Sequence, residues 1–232
     1  MAKLKRFSAP KFWKIKKKVS KWTVAPSPGP HKKFECIPLQ ILLRDILKVA
    51  ETGKEAKTIL NRGEIIVDGL ARKDTSYPLG LMDTVAIPKM KKYFRVVPSE
   101  KGLMLVDIDE AEVGKKLFKI KNKTVVKKGK IQLNLHDGKN LLVGKDVYKT
   151  GDSLLLKMPE QKILEHIKME KGSIGLITHG KNSGKLVKIK EVIVTRSREP
   201  NKVICELDNE EIEVIKEYVF VVGKKEPVLK LS

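Results

Sequence analysis

"GLITHGKNSGK", residues 175–185, decides between two folds. Gly175, Gly180 and Lys181 have the spacing of a P-loop, which cradles nucleotide phosphates between a strand and a helix. A working P-loop also places Ser or Thr after the lysine to hold Mg²⁺, and Asn182 takes that place here. The residues that follow, "SGKLVKIKEVIVT", alternate in polarity and are rich in Val and Ile, which predicts a strand. Because no helix N-terminus follows to receive phosphates, the pattern argues against nucleotide hydrolysis.

The same stretch fits a β-hairpin. We predict a strand near 174–178, a turn at 179–184 and a second strand after it. Asn182 and Gly184 suit turn positions that require a positive φ. The tip of the turn then presents two lysines and backbone N–H groups, which suit a phosphate. The candidate RNA-binding residues at this hairpin tip are Lys181, Asn182 and Lys185.

The charge of the chain points to a polyanionic partner. Its 232 residues include 49 Lys and Arg against 28 Asp and Glu, a formal net charge of +21. A surplus of this size repels itself in the free protein and favours binding to a polyanion. Nucleic acid is the common partner of this kind, and an anionic membrane surface is the rarer one.

About half of the surplus lies at the N-terminus, because residues 1–33 hold 11 Lys and Arg and no Asp or Glu. Repulsion and the proline-rich "APSPGP" predict a basic, extended arm over residues 1–36 that orders against RNA. Phe12, Trp13 and Trp22 interrupt the lysines, and they either stack on unpaired bases or dock the arm on the protein itself. His31 is expected to be exposed. The candidate RNA-binding residues of the arm are Lys3, Lys5, Arg6, Lys11, Trp13, Lys14, Lys16, Lys17, Lys18, Lys21, Trp22, His31, Lys32 and Lys33.

A pair of helices is predicted after the arm. Apolar residues of 39–50 follow helical spacing, with Pro38 in the first turn. Thr52 and Glu55 form a capping box that opens a shorter helix, which Gly63 ends. The basic residues lie off the apolar stripe and give the module a basic surface. Its candidate RNA-binding residues are Arg44, Lys48, Lys54, Lys57 and Arg62, with Arg72 and Lys73 in the strands that follow.

The rest of the chain is rich in short strands separated by turn signals, which predicts small barrels. Only residues 160–167 are interpreted as a helical turn or linker. The predicted class is therefore α+β and multi-module, with a helix-pair RNA-binding domain followed by small β-barrel-like domains. We place the arm at 1–36, the helix-pair domain at 37–97, a central β-rich domain at 98–168 and a final β-domain at 169–232.

The sequence gives little support for a catalytic or metal-binding site. The four histidines have no metal-ligand spacing, and the two cysteines fit free thiols of a reducing compartment. "GDS" at 151–153 precedes a strand and is interpreted as a turn, and the acidic cluster at 107–112 as a solvated loop. No apolar run reaches the length of a membrane-spanning helix. We expect no enzyme activity, cofactor, metal, small-molecule substrate or membrane partner, and a cytoplasmic location.

These segments resemble one family nearly from end to end. "LKRFSAPKFWKI" (4–15) and "APSPGPHK" (25–32), together with the helix-pair segment at 35–60 and the strands at 65–87, resemble the small-subunit ribosomal protein family S-four-e (S4e) of archaea and eukaryotes. "GSIGLITHGKNSGKLVKI" (172–189) resembles a KOW motif, so the final β-domain is of the KOW type. One departure is Val187, which stands where the KOW pattern has glycine.

The resemblance implies a structural constituent of the small ribosomal subunit, with small-subunit ribosomal RNA and neighbouring ribosomal proteins as partners. It also implies an archaeal or eukaryotic source, and the early end of the chain and its many lysines favour archaea. Two alternatives remain open. One is an RNA-modifying enzyme that uses the helix pair for targeting, although no catalytic aspartate is found for it. The other is a free translation or transcription factor that contacts a protein through the KOW element.

Overall fold

A computed structural model describes residues 3–126, 129–195, 197–208 and 210–231. The chain is mostly β-sheet with few helices, and it divides into two compact units. Unit 1 comprises Met1–Val97 and Lys101–Gly114, and unit 2 comprises Pro98–Glu100 and Lys115–Ser232.

Unit 1 contains three small sheets and the helices. Its strands pair in the orders β1-β2, β3-β6 and β5-β4-β7-β8-β9. The strands are β1 Lys3–Lys5, β2 Trp22–Val24, β3 Ile37–Pro38, β4 Ile66–Val67, β5 Leu70–Ala71, β6 Pro78–Leu79, β7 Thr84–Ile87, β8 Lys92–Ser99, which ends in unit 2, and β9 Gly102–Asp107. The helices are α1 Leu39–Ile41, continued by a π-helix at Leu42–Ile46, and α2 Gly53–Asn61.

The basic N-terminal segment differs from the predicted extended arm. Strand β1 pairs antiparallel with β2, and the apolar residues between the lysines enter the core of unit 1. Trp13 is fully buried, and its Nε1–H donates to the Cys36 carbonyl oxygen at 2.7 Å. Leu4 and Ile15 are also buried. Charge obscured this in the sequence, because spaced apolar residues suffice to dock a segment whose lysines stay in solvent.

The helix pair is shorter than predicted. The N–H of Leu47 donates to the Leu42 carbonyl at 2.8 Å, five residues back, so the first helix widens into a π-turn instead of continuing as α-helix. Leu42 and Leu43 are nonetheless buried, which confirms the apolar stripe.

The predicted start and end of the second helix are confirmed. The N–H of Glu55 donates to Thr52 Oγ1 at 3.2 Å, and the Glu55 carboxylate accepts the N–H of Glu51 at 2.9 Å. The bond from Glu51, together with the bond that the Thr52 hydroxyl donates to the Glu55 carboxylate at 2.9 Å, lowers the pKa of Glu55. Gly63, at φ +72°, follows the last turn.

Unit 2 contains two five-stranded antiparallel sheets. The central sheet has the order β12-β11-β10-β13-β14 and the C-terminal sheet the order β18-β17-β16-β15-β19. The strands are β10 Lys115–Val125, β11 Ile131–Leu135, β12 Asn140–Val143, β13 Ser153–Lys157, β14 Lys162–Ile167, β15 Ile174–Ile177, β16 Leu186–Ile193, β17 Lys202–Leu207, β18 Glu210–Ile215 and β19 Val219–Gly223.

Two details of unit 2 correct the sequence analysis. Residues 162–167 form strand β14, not a helical turn, because pairing with β13 buries Ile167 and half-buries Ile163. In the turn between β15 and β16, Gly180 and Gly184 take positive φ values, whereas Asn182 does not. The hairpin itself is confirmed.

A buried lysine joins the two sheets of unit 2. Lys119 of β10 donates from Nζ to the carbonyl oxygens of Lys216, Glu217 and Val219, at 3.1, 2.8 and 2.7 Å. Burial lowers the pKa of Lys119 to about 8. The three carbonyl oxygens match the three donors of an ammonium group, which fixes the start of β19 beside β10.

The docking of the N-terminal segment is testable at Trp13. We expect Trp13→Ala to lower the free energy of unfolding by about 3–5 kcal/mol, because it removes a buried indole and leaves a cavity. Urea denaturation followed by circular dichroism measures this. Trp22→Ala is the matched control, since Trp22 is 44% exposed, and it should change stability by about 0.5 kcal/mol or less. Equal midpoints for the two variants would contradict docking.

Candidate nucleic-acid interface

The N-terminal segment presents a basic surface on unit 1. Leu4 faces inward between two outward-facing lysines of β1, so alternation along the strand places the charges in solvent. The exposed lysines predicted to bind RNA in this segment are Lys3, Lys5, Lys11, Lys14, Lys16, Lys18, Lys21, Lys32 and Lys33. We call this set the N-terminal basic surface. Lys17 differs, because its Nζ donates to the Ala9 carbonyl at 2.6 Å and it is half-buried.

Two of the predicted RNA contacts point inward. The Arg6 guanidinium is buried, with Nη1 donating to Ser20 Oγ at 2.7 Å and Nη2 at 3.8 Å from the Asp45 carboxylate. The buried Trp13 indole packs in the core. These two side chains therefore hold the segment in place. Of the two roles predicted for Trp13, it has the one in which it docks the segment on the protein itself.

His31 is not exposed, contrary to expectation. Its side chain is 6% exposed, and Nε2 lies 3.0 Å from both oxygens of the buried Asp83 carboxylate. Asp83 also accepts the N–H of Gly80 at 2.8 Å. A Cβ on Gly80 would lie 2.2 Å from the imidazole Cγ, so glycine is required beside this ring. The sequence signal was the "PLG" segment, whose glycine makes room for the histidine.

The helix module keeps most of its predicted basic surface. The exposed residues are Lys48, Lys54, Lys57, Arg62 and Lys73. Arg44 is half-buried and its guanidinium donates to Asp45 at 2.7 Å. Arg72 is also half-buried, with its guanidinium 4.6 Å from the Tyr77 ring centre. Both arginines have local partners and offer less to a ligand than the lysines of α2.

The hairpin tip of unit 2 is anchored by glycine. Lys181 is exposed, while Asn182 and Lys185 are half-buried. Gly184 has φ +88°, and a Cβ there would lie 2.8 Å from the Pro98 carbonyl oxygen, so the turn sits directly on the backbone of residues 98–99.

Val187 is the residue that stands where the KOW pattern has glycine. It pairs with Gly175 across β15 and β16 and is buried. A Cβ on Gly175 would lie 2.8 Å from Val219 Cγ1 but at an ordinary contact distance of 3.6 Å from Val187 Cγ2. The hairpin therefore forms with a buried valine at position 187, and the glycine at 175 makes room for Val219.

Two exposed aromatic residues were missed in the sequence. Among the described residues, the exposed aromatic side chains are Phe7, Trp22 and Phe34, at 71%, 44% and 60% exposure. The ammonium groups of Lys21 and Lys33 lie 5.5 and 5.6 Å from the rings of Trp22 and Phe34. Exposed rings beside lysines suit unpaired bases. Only the structure separates these rings from the buried Trp13.

The remaining candidate chemistry is structural. Ser153 of the "GDS" turn is buried within β13, and Asp152 accepts from His166 Nε2 at 2.8 Å. In residues 3–126, 129–195, 197–208 and 210–231, no group of three or more His, Cys, Asp or Glu is placed to hold a metal ion. Over the same ranges, no helix combines the length and apolarity needed to cross a membrane.

Comparison with known proteins identifies relatives of this chain. The model of Ribosomal family S4e matches residues 90–163, and that of the RS4NT (NUC023) domain matches residues 2–34. The small ribosomal subunit protein eS4 of Archaeoglobus fulgidus is 50% identical, over 98% of this chain and 97% of its own length. That of Methanothermobacter thermautotrophicus is 49% identical, over 98% and 95%.

The chain belongs to the ribosomal S4e family. A solved relative supports the fold: the crystal structure of the 30S ribosomal protein S4e from Thermoplasma acidophilum is 29% identical, with a TM-score of 0.70 over 82% of this chain and 96% of that one. In this S4e chain, the RS4NT match spans all nine lysines of the N-terminal basic surface.

The two thiols of this S4e chain should be unreactive. Burial, with the nearby Asp83 and Glu35 carboxylates, raises the pKa of Cys36 to about 12, and burial raises that of Cys205 to about 11. Since the thiolate is the reactive form, we expect slow labelling by Ellman's reagent at pH 8 in the native protein and fast labelling in denaturant. Rapid labelling of two thiols in the native protein would contradict the burial of both.

Proposed function

We propose that this protein is a structural constituent of the small ribosomal subunit, which binds small-subunit ribosomal RNA and supports subunit assembly and translation. Family membership supports this, since the matched relatives are named small ribosomal subunit proteins. The observation that carries the binding proposal is the N-terminal basic surface: nine exposed lysines lie in a segment with no Asp or Glu in its first 33 residues.

Phosphate neutralisation supplies most of the affinity. Each lysine that meets a phosphate releases condensed counterions, so affinity falls with salt at a slope of about 0.7–0.9 per contact. Such contacts do not distinguish one RNA base sequence from another. The lysines are long and solvated, which lets one surface follow an irregular RNA backbone.

The docked N-terminal segment gives this surface a fixed geometry. Trp13 and Arg6 tie it to unit 1, so its lysines are held together before RNA arrives. This lowers the ordering cost that a free arm would pay on binding. Trp22, at the end of the β1-β2 ribbon, adds a ring that can stack on an unpaired base.

The helix module is a second RNA contact. Lys54 and Lys57 lie on the solvent side of α2, opposite the buried Ala56 and Leu60. Arg62 and Lys73 extend the same positive charge beyond the helix. Lys181 at the hairpin tip of unit 2 adds a third contact. Several weak contacts on one chain reinforce one another through effective concentration.

Neighbouring ribosomal proteins are the other proposed partners. The S4e family consists of ribosomal proteins, whose role is binding rather than catalysis. The alternatives of an RNA-modifying enzyme and of a free factor lack an observation in their favour.

The N-terminal basic surface is tested by charge removal. We expect a Lys14→Gln, Lys16→Gln, Lys18→Gln, Lys21→Gln variant to bind small-subunit ribosomal RNA more weakly, with a salt slope smaller by about 3, because four phosphate contacts are lost. Filter binding over a salt series measures this slope.

The control for this variant removes lysines whose charge already has a partner. Lys89→Gln, Lys157→Gln and Lys202→Gln serve, since these lysines pair with Glu64, Glu160 and Glu213. The control should keep a slope near that of the parent chain. An unchanged slope in the four-lysine variant would refute the assignment of RNA contacts to this surface.

A further inference from the structure

Unit 2 carries a row of adjacent surface depressions that the sequence did not indicate. Four depressions adjoin along residues 169–172, with volumes from about 380 to about 610 Å³. The first and second share Met169 and Val192. The second and third share residues 170–171, and the third and fourth share Gly172 and Lys225. The four depressions therefore lie side by side, and we call the row of them the unit 2 groove.

Lysines without a carboxylate partner line this groove. Among the described residues, none of the six has an ion pair to Asp or Glu. They are Lys149, Lys171, Lys188, Lys216, Lys224 and Lys225.

The carboxylates in the groove are largely occupied. Asp152 is buried and accepts from His166 Nε2 and from the backbone N–H groups of Lys149 and Met169, at 2.8, 3.1 and 3.0 Å. Glu170 lies 3.8 Å from the ammonium of Lys168. Glu191 also lines the groove and is exposed. The six lysines outnumber this carboxylate, so the groove keeps a net positive potential.

The backbone shapes the groove for these lysines. Gly151 has φ +100°, and a Cβ there would lie 3.0 Å from Lys216 Cε, so the glycine leaves room for this side chain. Gly172, at φ +90°, has no atom within 4 Å of the Cβ position and leaves the middle of the groove open.

We infer that the unit 2 groove binds the phosphodiester backbone of RNA. Phosphates fit because the lining offers several mobile ammonium groups, which bind a polyanion without base recognition. A small-molecule site would instead be enclosed and mostly apolar, with a few fixed polar groups. This inference rests on the proposed function, and it adds a contact surface in unit 2 apart from the hairpin tip.

The test removes three groove charges in the full chain. We expect Lys171→Gln, Lys224→Gln, Lys225→Gln to lower the salt slope of binding to small-subunit ribosomal RNA by about 2–3. The matched control is Lys121→Gln, Lys130→Gln, Lys162→Gln, which removes three exposed lysines of unit 2 that do not line the groove. The control should keep the parent slope, and unchanged melting curves would show that both variants fold.

The outcomes separate the groove from the proposed function. The groove variant could keep the salt slope of the parent chain while the N-terminal four-lysine variant shows a smaller slope. In that case the groove inference is overturned and the proposed function stands. The groove inference is also overturned if the groove variant binds RNA like the parent chain and loses only its binding to an acidic protein. If the parent chain itself binds the RNA with no salt dependence, the proposed function fails first.

Discussion

Repulsion among like charges is the constraint on which this structure depends. With a net charge of +21, the chain folds by keeping most of its lysines in solvent while the apolar residues between them are buried. The N-terminal segment meets this requirement through spacing: Leu4, Trp13 and Ile15 enter the core of unit 1. The surrounding lysines remain outside. The repulsion that is left is relieved when phosphates replace solvent counterions.

Internal pairing shows where the free positive charge is. In unit 2, Lys202 of β17 lies 3.4 Å from Glu213 of β18, so the charge on these strands is locally balanced. The N-terminal basic surface and the unit 2 groove differ, because their lysines have few carboxylates beside them. In an RNA-binding protein the unbalanced lysines matter more than the total, since paired lysines have little to gain from a phosphate.

Much of this architecture was predictable from local signals. The Thr52–Glu55 cap and the β15-β16 hairpin each follow from residues within a few positions. Tertiary effects were not predictable. The burial of Trp13 depends on a carbonyl 23 residues away, and that of His31 on Asp83, 52 residues away. Strand β14 was missed because its mixed polarity also fits a helical turn. The unit 2 groove joins residues from six separate segments, so no local pattern marks it.

Sedimentation tests the central claim most directly, namely that ribosomal RNA supplies the negative charge this chain lacks. The tagged full-length protein is expressed in its source cells, and the lysate is run through sucrose gradients at low and at high salt. The account predicts that the protein migrates with the small ribosomal subunit in both gradients, because many phosphate contacts hold it at once. Recovery at the top of the low-salt gradient, with intact subunits below it, would contradict the account.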